Sequence, residues 1–312
     1  MASRVTVYEV GPRDGLQNEG HTVPTAEKLA LLGALADAGL SRIEASSFVS
    51  PKWIPQLADA GEVVAGLPRR AGTSYGVLVP NAKGLERLTE ALVQAGEGSP
   101  QVDAAVFLSA SETHNQKNVN RTVAESLAEL AILVPAAKER GLRVRGYVST
   151  MWGCPYEGPV APERGATVVA RLLDMGCHQV SLGDTIGVGT PNQTRRILDL
   201  LLVFASPDQL ALHMHDTRGT ALANVLVGLE AGLSTFDASI GGLGGCPYAP
   251  GAAGNLATED LVYLLHGMGY ETGVDWQKLI RAGALAQGIV KRPLPGKALQ
   301  AELATAARAA LA

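Results

Sequence analysis

Short apolar runs and longer amphipathic runs alternate along the chain. Residues 5–10, 42–45, 73–79, 101–108, 143–148, 178–182, 210–214 and 234–240 are short, largely apolar, and mostly bounded by glycine, proline or polar clusters. Their length and flanks predict buried strands. Between them, apolar residues recur at helical spacing, as Leu29, Leu32 and Leu35 do over residues 25–38, where Thr25 is the expected cap. Further helices are predicted near 54–65, 82–95, 122–140, 162–175, 191–204, 219–231 and 256–268. Eight strand–helix units in succession predict an α/β fold, a closed (β/α)8 TIM barrel over about residues 4–268. Residues 275–312 read as a C-terminal extension of two helices, split by Pro293, Leu294, Pro295 and Gly296, that either covers a barrel face or pairs subunits. No linker-like segment interrupts the pattern, so residues 1–312 read as one catalytic domain.

Composition narrows the function classes. Apolar residues make up 46% of the chain, enough for a large core, while aromatics are only 4%, which favours close helix-on-strand packing over an aromatic-rich sandwich. A net charge of −4 and a pI near 5.9 give no electrostatic footprint for nucleic acid. Cys154, Cys177 and Cys246 are odd in number and form no CxxC pair, so neither a disulfide framework nor a zinc–cysteine site is expected. The first strand begins almost at Met1, and no apolar stretch is long enough to span a bilayer. A reduced, soluble, cytoplasmic protein without a membrane partner is the expectation.

Polar residues gather where the strands end, the face on which barrel enzymes place their sites. Arg13 and Asp14 follow strand one, Glu44 lies in strand two, and Asp184 follows strand six. Residues 241–255 follow strand eight with six glycines and two prolines, longer than a simple strand-to-helix connection requires. This loop carries Cys246, which reads as a small filler or a loop proton donor, and Asn255, which reads equally as a helix cap or a functional amide. His213 and His215 stand two apart on strand seven and point to one face. A bare His-x-His is more often two unrelated histidines, but Asp14 and Asn255 arriving from adjacent strands favour a shared ion. One carboxylate, two imidazoles and one amide oxygen, with positions left open, suit Mg²⁺ or Mn²⁺. Arg13 reads either as a structural partner of an acid or as a cation for an enolate or carboxylate. Cys154 and Cys177 read as packing residues.

These residues sit in motifs that resemble the 3-hydroxy-3-methylglutaryl-CoA lyase family, part of a metal-dependent barrel group that also holds isopropylmalate and homocitrate synthases. Residues 11–19, 43–53, 145–149, 153–158, 181–187 and the 241–255 loop carry the resemblance, which spans nearly the whole chain. The cysteine-bearing glycine loop is specific to the lyases; the Arg13-Asp14-Gly15 motif alone marks only the wider group. The resemblance implies cleavage of an acyl-CoA thioester to acetyl-CoA and acetoacetate, a homodimer, and a place in leucine degradation. It implies that Asp14, His213, His215 and Asn255 hold a divalent cation, Mg²⁺ or Mn²⁺. Arg13 would stabilise the enolate, Glu44 would support Arg13, and Cys246 would protonate the enolate. Asp14 or His213 would be the base. Gln17, Ser47, Asn118, Tyr147, Asp184 and Thr185 would line the acyl-CoA pocket. Two stretches depart from the usual lyase pattern: Arg218-Gly219-Thr220, where many lyases have Tyr-Gly-Gln, and residues 112–118. Both leave room for a longer 3-hydroxy-3-alkylglutaryl-CoA substrate. A condensing 2-isopropylmalate-type synthase is disfavoured by the short tail and the cysteine loop. A non-catalytic acyl-CoA-binding barrel is disfavoured by the complete set of metal and loop residues.

Overall fold

The computed structural model describes residues 4–244 and 254–311. Its eight strands are β1 (Thr6–Glu9), β2 (Arg42–Ser47), β3 (Ser74–Leu78), β4 (Val102–Ser109), β5 (Val144–Ser149), β6 (Gln179–Asp184), β7 (Leu210–Met214) and β8 (Thr235–Ala238). All neighbours pair in parallel, and β8 closes onto β1 from Thr6↔Thr235 to Glu9↔Ala238, so the predicted barrel forms. Every residue of β3 is buried, and nearly every residue of the other strands. Burial on both faces explains why the strands read as near-continuous apolar runs rather than alternating ones. One face packs on the helices. The other fills the barrel with Tyr8, Arg145, Tyr147 and Asp237, in which Arg145 and Asp237 form an ion pair at 2.7 Å.

The helices are α1 (Thr25–Asp37), α2 (Ala60–Ala65), α3 (Ala82–Ala95), α4 (Glu112–Val119), α5 (Val123–Glu139), α6 (Pro162–Met175), α7 (Pro191–Leu201), α8 (Ala221–Glu230), α9 (Thr258–Gly267), α10 (Trp276–Val290) and α11 (Lys297–Leu311). Their boundaries follow local chemistry. The Asn81 side chain accepts from Gly84 N ahead of α3, and Thr122 with Glu125 forms a capping box on α5. Pro162 and Pro191 sit at first-turn positions, where a missing N–H costs no intrahelical bond.

Several expectations are corrected. Thr25 is the first residue of α1 rather than its cap, and its hydroxyl donates instead to Asp59 Oδ2 at 2.7 Å. The helix expected near 54–65 survives only as a 3-10 turn, Pro55–Leu57, and the short α2. Residues 11–15 form a wide helical turn, with the N–H groups of Arg13, Asp14 and Gly15 converging on Val10 O. Glycine is needed at position 15 because a β-carbon there would lie 2.8 Å from the Leu243 side chain. Most notably, α4 was not expected. Its sequence has no apolar stripe, so periodicity is silent. It forms because Ser111 Oγ accepts from His114 N at its start and Asn120, at φ 56°, ends it.

The tail forms its two helices as expected. α10 packs on α1 and α9, and α11 on α9 and α10, so the extension covers the helical ring where the barrel closes. The connection between them grips the turn after β8. Gly296 N donates to Gly241 O at 2.8 Å, and a β-carbon on Gly241 would lie 2.5 Å from Leu294.

Candidate functional site

The turn after β1 aims Arg13 and Asp14 across the C-terminal mouth of the barrel. Arg13 is nearly buried. Its Nη1 donates to Asp14 Oδ1 at 2.6 Å and its Nε donates to Glu44 Oε2 at 2.7 Å. Glu44 lies fully buried beneath it on β2, so one guanidinium bridges two acids. Gln17 Nε2 donates to Asp14 Oδ1 at 3.0 Å, and Asn255 Nδ2 donates to Asp14 Oδ2 at 2.8 Å. Burial opposes ionisation of Asp14. The Arg13 guanidinium, His213, the Asn255 amide and His215 overcome it and hold the carboxyl down at about 2.

His213 and His215 project from β7 and its end, with ring centroids 5.5 Å apart. His213 Nε2 is 4.0 Å from Asp14 Oδ2, and its Nδ1 meets Asp237 Oδ2 at 3.2 Å. His215 is pinned through its backbone by a bridge to Asn255. Burial, with His213 close by, pushes its imidazole down to about 4, so it stays neutral at neutral pH. One ligating atom from each of Asp14, His213 and His215 lies within 4.8 Å of the others. The buried His215 Nδ1 has no hydrogen-bond partner among the described residues. A carboxylate, two imidazoles at this spacing and an unsatisfied ring nitrogen fit a divalent cation.

Asn255 is not a helix cap: Ala257 occupies that position at the start of α9. Its amide nitrogen faces Asp14 and Leu243 O, so a ligand role uses the other amide atom, the oxygen. Cys246 lies outside the described residues.

A cavity of about 660 Å³ opens beside this cluster. Arg13, Asp14, Gln17, Ser47, Asn118, Tyr147, Thr185, His213 and His215 line it. Asp184 does not line it. This carboxylate is fully buried and accepts from Val188 N and Gly189 N, shaping the turn after β6, while Gly183 and Thr185 form the wall. Tyr147 lies with its ring 5.7 Å below the Arg13 guanidinium carbon, and its hydroxyl has no partner among the described residues. The two departures from the lyase pattern now separate. α4 forms one wall, through His114, Asn118 and Val119. Arg218 is absent from the lining, and its guanidinium donates to Ile186 O and Gly187 O instead.

Asp237, Arg145 and His114 were not singled out from the sequence. The available signal was a charge inside each otherwise apolar strand run at Asp237 and Arg145. Its meaning depends on which face points into the barrel, and on partners 92 residues apart. No described helix is long and apolar enough to cross a membrane.

The geometry defines a parallel-barrel enzyme with a candidate cation site at its C-terminal mouth. The HMGL-like family profile matches residues 4–286, and the chain belongs to that family. It is 50% identical over 298 residues to the mitochondrial hydroxymethylglutaryl-CoA lyase of Bos taurus, covering 96% of this chain and 89% of that protein. The crystal structure of hydroxymethylglutaryl-CoA lyase from Pseudomonas aeruginosa superposes with a TM-score of 0.92 at 45% identity, over 98% of this chain and 99% of that one. An HMG-CoA lyase from Acinetobacter baumannii, in complex with coenzyme A and 3-methylmalate, superposes with a TM-score of 0.88 at 41% identity, over 96% and 95% of the two chains.

Proposed function

We propose that the chain cleaves 3-hydroxy-3-methylglutaryl-CoA to acetyl-CoA and acetoacetate. The observation that carries this reading is the convergence of Asp14, His213 and His215 beside Arg13 on one side of a cavity large enough for an acyl thioester. The hydroxy-diacid and coenzyme A held by the Acinetobacter relative have the chemistry of the two halves of that substrate. Asp14, His213, His215 and the Asn255 oxygen would hold Mg²⁺ or Mn²⁺. When bound, the cation supplies polarisation of the substrate's 3-hydroxyl, which lowers its pKa.

The remaining steps belong to the chain's own groups. Asp14 and His213 are the two candidate bases for the hydroxyl proton. Breaking the carbon–carbon bond moves negative charge onto the thioester oxygen. Arg13 is the cation proposed to meet that charge, and its contact with Glu44 beneath it supports the role by holding the guanidinium in place. Cys246 is the proposed acid that protonates the resulting enolate. Cys246→Ala should lower turnover sharply while leaving cation and substrate affinity largely intact; unchanged turnover removes Cys246 from that role. A homodimer, a cytoplasmic location and a place in leucine breakdown complete the proposal. Sedimentation of the 32.4 kDa chain at monomer mass would refute the dimer.

A second reading, cleavage of a longer 3-alkyl homologue by the same chemistry, is favoured by one observation: the divergent α4 reaches the cavity. Side-by-side cleavage of the methyl substrate and a longer 3-alkyl analogue decides between them. His114→Phe should change the ratio of the two rates, whereas Arg218→Tyr should leave it within about twofold, because Arg218 lies outside the lining.

A further inference from the structure

Below the cation cluster, inside the barrel, Arg145 and Asp237 form an ion pair that the cleavage reaction as described above does not use. Both side chains are essentially inaccessible to solvent. Arg145 Nη2 donates to Asp237 Oδ1 at 2.7 Å and Nη1 to Oδ2 at 3.1 Å, a two-point contact. The guanidinium lies between two rings, 4.0 Å from the Tyr8 centroid and 4.8 Å from that of Tyr147. Its Nε donates to Gln179 Oε1 at 3.1 Å. Ser181 Oγ adds a further bond to Asp237 Oδ2 at 2.8 Å. Groups from β1, β5 and β6 thus fix a carboxylate carried by β8.

The fourth contact of that carboxylate is with His213 Nδ1, at 3.2 Å. A carboxylate paired with a buried arginine accepts hydrogen bonds and has none to give. His213 Nδ1 must therefore carry the N–H, which in the neutral ring leaves the lone pair on Nε2, the nitrogen that faces Asp14. His215 has no such backing, since its buried Nδ1 is without a hydrogen-bond partner among the described residues. The two histidines of the cluster are therefore built differently: one is oriented by a charged pair, the other by its backbone bridge to Asn255.

We infer that Asp237, clamped by Arg145 and Ser181, is the positioning residue of His213, setting its tautomer and ring orientation so that Nε2 is presented to the divalent cation. The inference rests on the proposed cation site. A carboxylate behind a ligating imidazole is a general device for orienting the ring and raising its basicity, and its loss typically costs about 10–100-fold in metal affinity.

Two measurements test it. The first is ¹⁵N NMR of histidine-labelled, metal-free parent protein, with the His213 signals identified by their loss in His213→Ala. At a pH high enough for the ring to be neutral, the expected result is a protonated Nδ1 and a pyridine-type Nε2; a neutral ring with its proton on Nε2 overturns the inference. This reading needs no folded Asp237 variant. The second is Mn²⁺ binding without substrate, followed by the spin-resonance signal of the free ion. Asp237→Asn should bind about 10–100-fold more weakly than parent, and Asp237→Ala at least as weakly, while Ser181→Ala, which removes one support of the carboxylate, should show a smaller loss. Asp237→Asn binding as tightly as parent overturns the inference. A parent that cleaves the thioester but whose neutral His213 carries its proton on Nε2 removes only the positioning role. A parent that binds no Mn²⁺ removes the cation site itself.

Discussion

Two pairs of sequestered acids, Asp14 with Asp237 and Glu9 with Glu259, meet opposite treatment in this barrel. Asp14 belongs to the candidate cation site and Asp237 backs its His213, and each has an arginine against it, Arg13 at 2.6 Å and Arg145 at 2.7 Å. Burial opposes their ionisation, but the arginines and the added hydrogen bonds hold both at about 2. Glu9 and Glu259 lie between β1, the turn after β8 and α9, and neither has a basic residue as an ion-pair partner among the described residues. Burial pushes them up to about 7 and about 8. Their partners are backbone N–H groups and a hydroxyl. Glu9 accepts from Gly11 N, Ile240 N and Thr258 Oγ1, and Glu259 accepts from Gly241 N. The same functional group thus does two jobs. In Asp14 and Asp237, each beside a guanidinium, it is a permanent charge. Without one it is a protonatable clamp on the turns that carry Asp14 and begin the 241–255 loop.

Removing the arginine from the first pair should have the largest effect. Arg13→Gln leaves Asp14 and Glu44 without their cation and the developing enolate without its proposed donor, so kcat should fall by about 10²–10³. A loss under tenfold would break the charged side of the comparison.

The second pair should govern stability more than turnover. Their folded-state values lie above the ordinary carboxylate value, so the folded protein binds the extra protons. The stability this gives is fully present below about 4.5 and is lost as pH rises through about 7 and about 8. Together the two acids are worth on the order of 5–10 kcal/mol across that range. Thermal denaturation at pH 6 and pH 9 should show the parent losing stability and Glu259→Gln losing less. Equal losses in both proteins would show that Glu259 is ionised at both pH values.

A smaller effect sharpens the same point. A β-carbon on Gly283 of α10 would lie 2.4 Å from Glu259 Oε1 and 2.7 Å from Leu299. Gly283→Ala should cost about 1–3 kcal/mol in denaturant unfolding through overpacking. A neutral substitution would mean that α10 yields at this point and that the acid is less tightly enclosed than the distances indicate.

Much of this molecule is legible before folding. Strands buried on both faces are apolar runs, glycine and proline mark their ends, and barrel topology then places Asp14, Glu44, His213 and His215 on one face. What escapes is of two kinds. α4 escapes because Ser111 and its neighbours hold it by hydrogen bonds, with no apolar stripe to announce it. The Asp237–Arg145 pair and the Glu9–Ile240 contact escape because they join residues 92 and 231 apart, and only the closed barrel decides which charges meet. Asn255 was ambiguous for a related reason: a side-chain amide just ahead of a helix looks the same whether it caps that helix or reaches a carboxylate on β1's turn.

The measurement that bears most directly on the account is thioester cleavage by chelator-treated protein titrated with Mg²⁺ or Mn²⁺, following acetyl-CoA and acetoacetate together. The account predicts no products without a cation, equimolar products that rise and saturate as it is added, and no recovery at comparable cation levels in Asp14→Asn. Failure to cleave 3-hydroxy-3-methylglutaryl-CoA at any cation level, or full cleavage by the chelated parent, would contradict it.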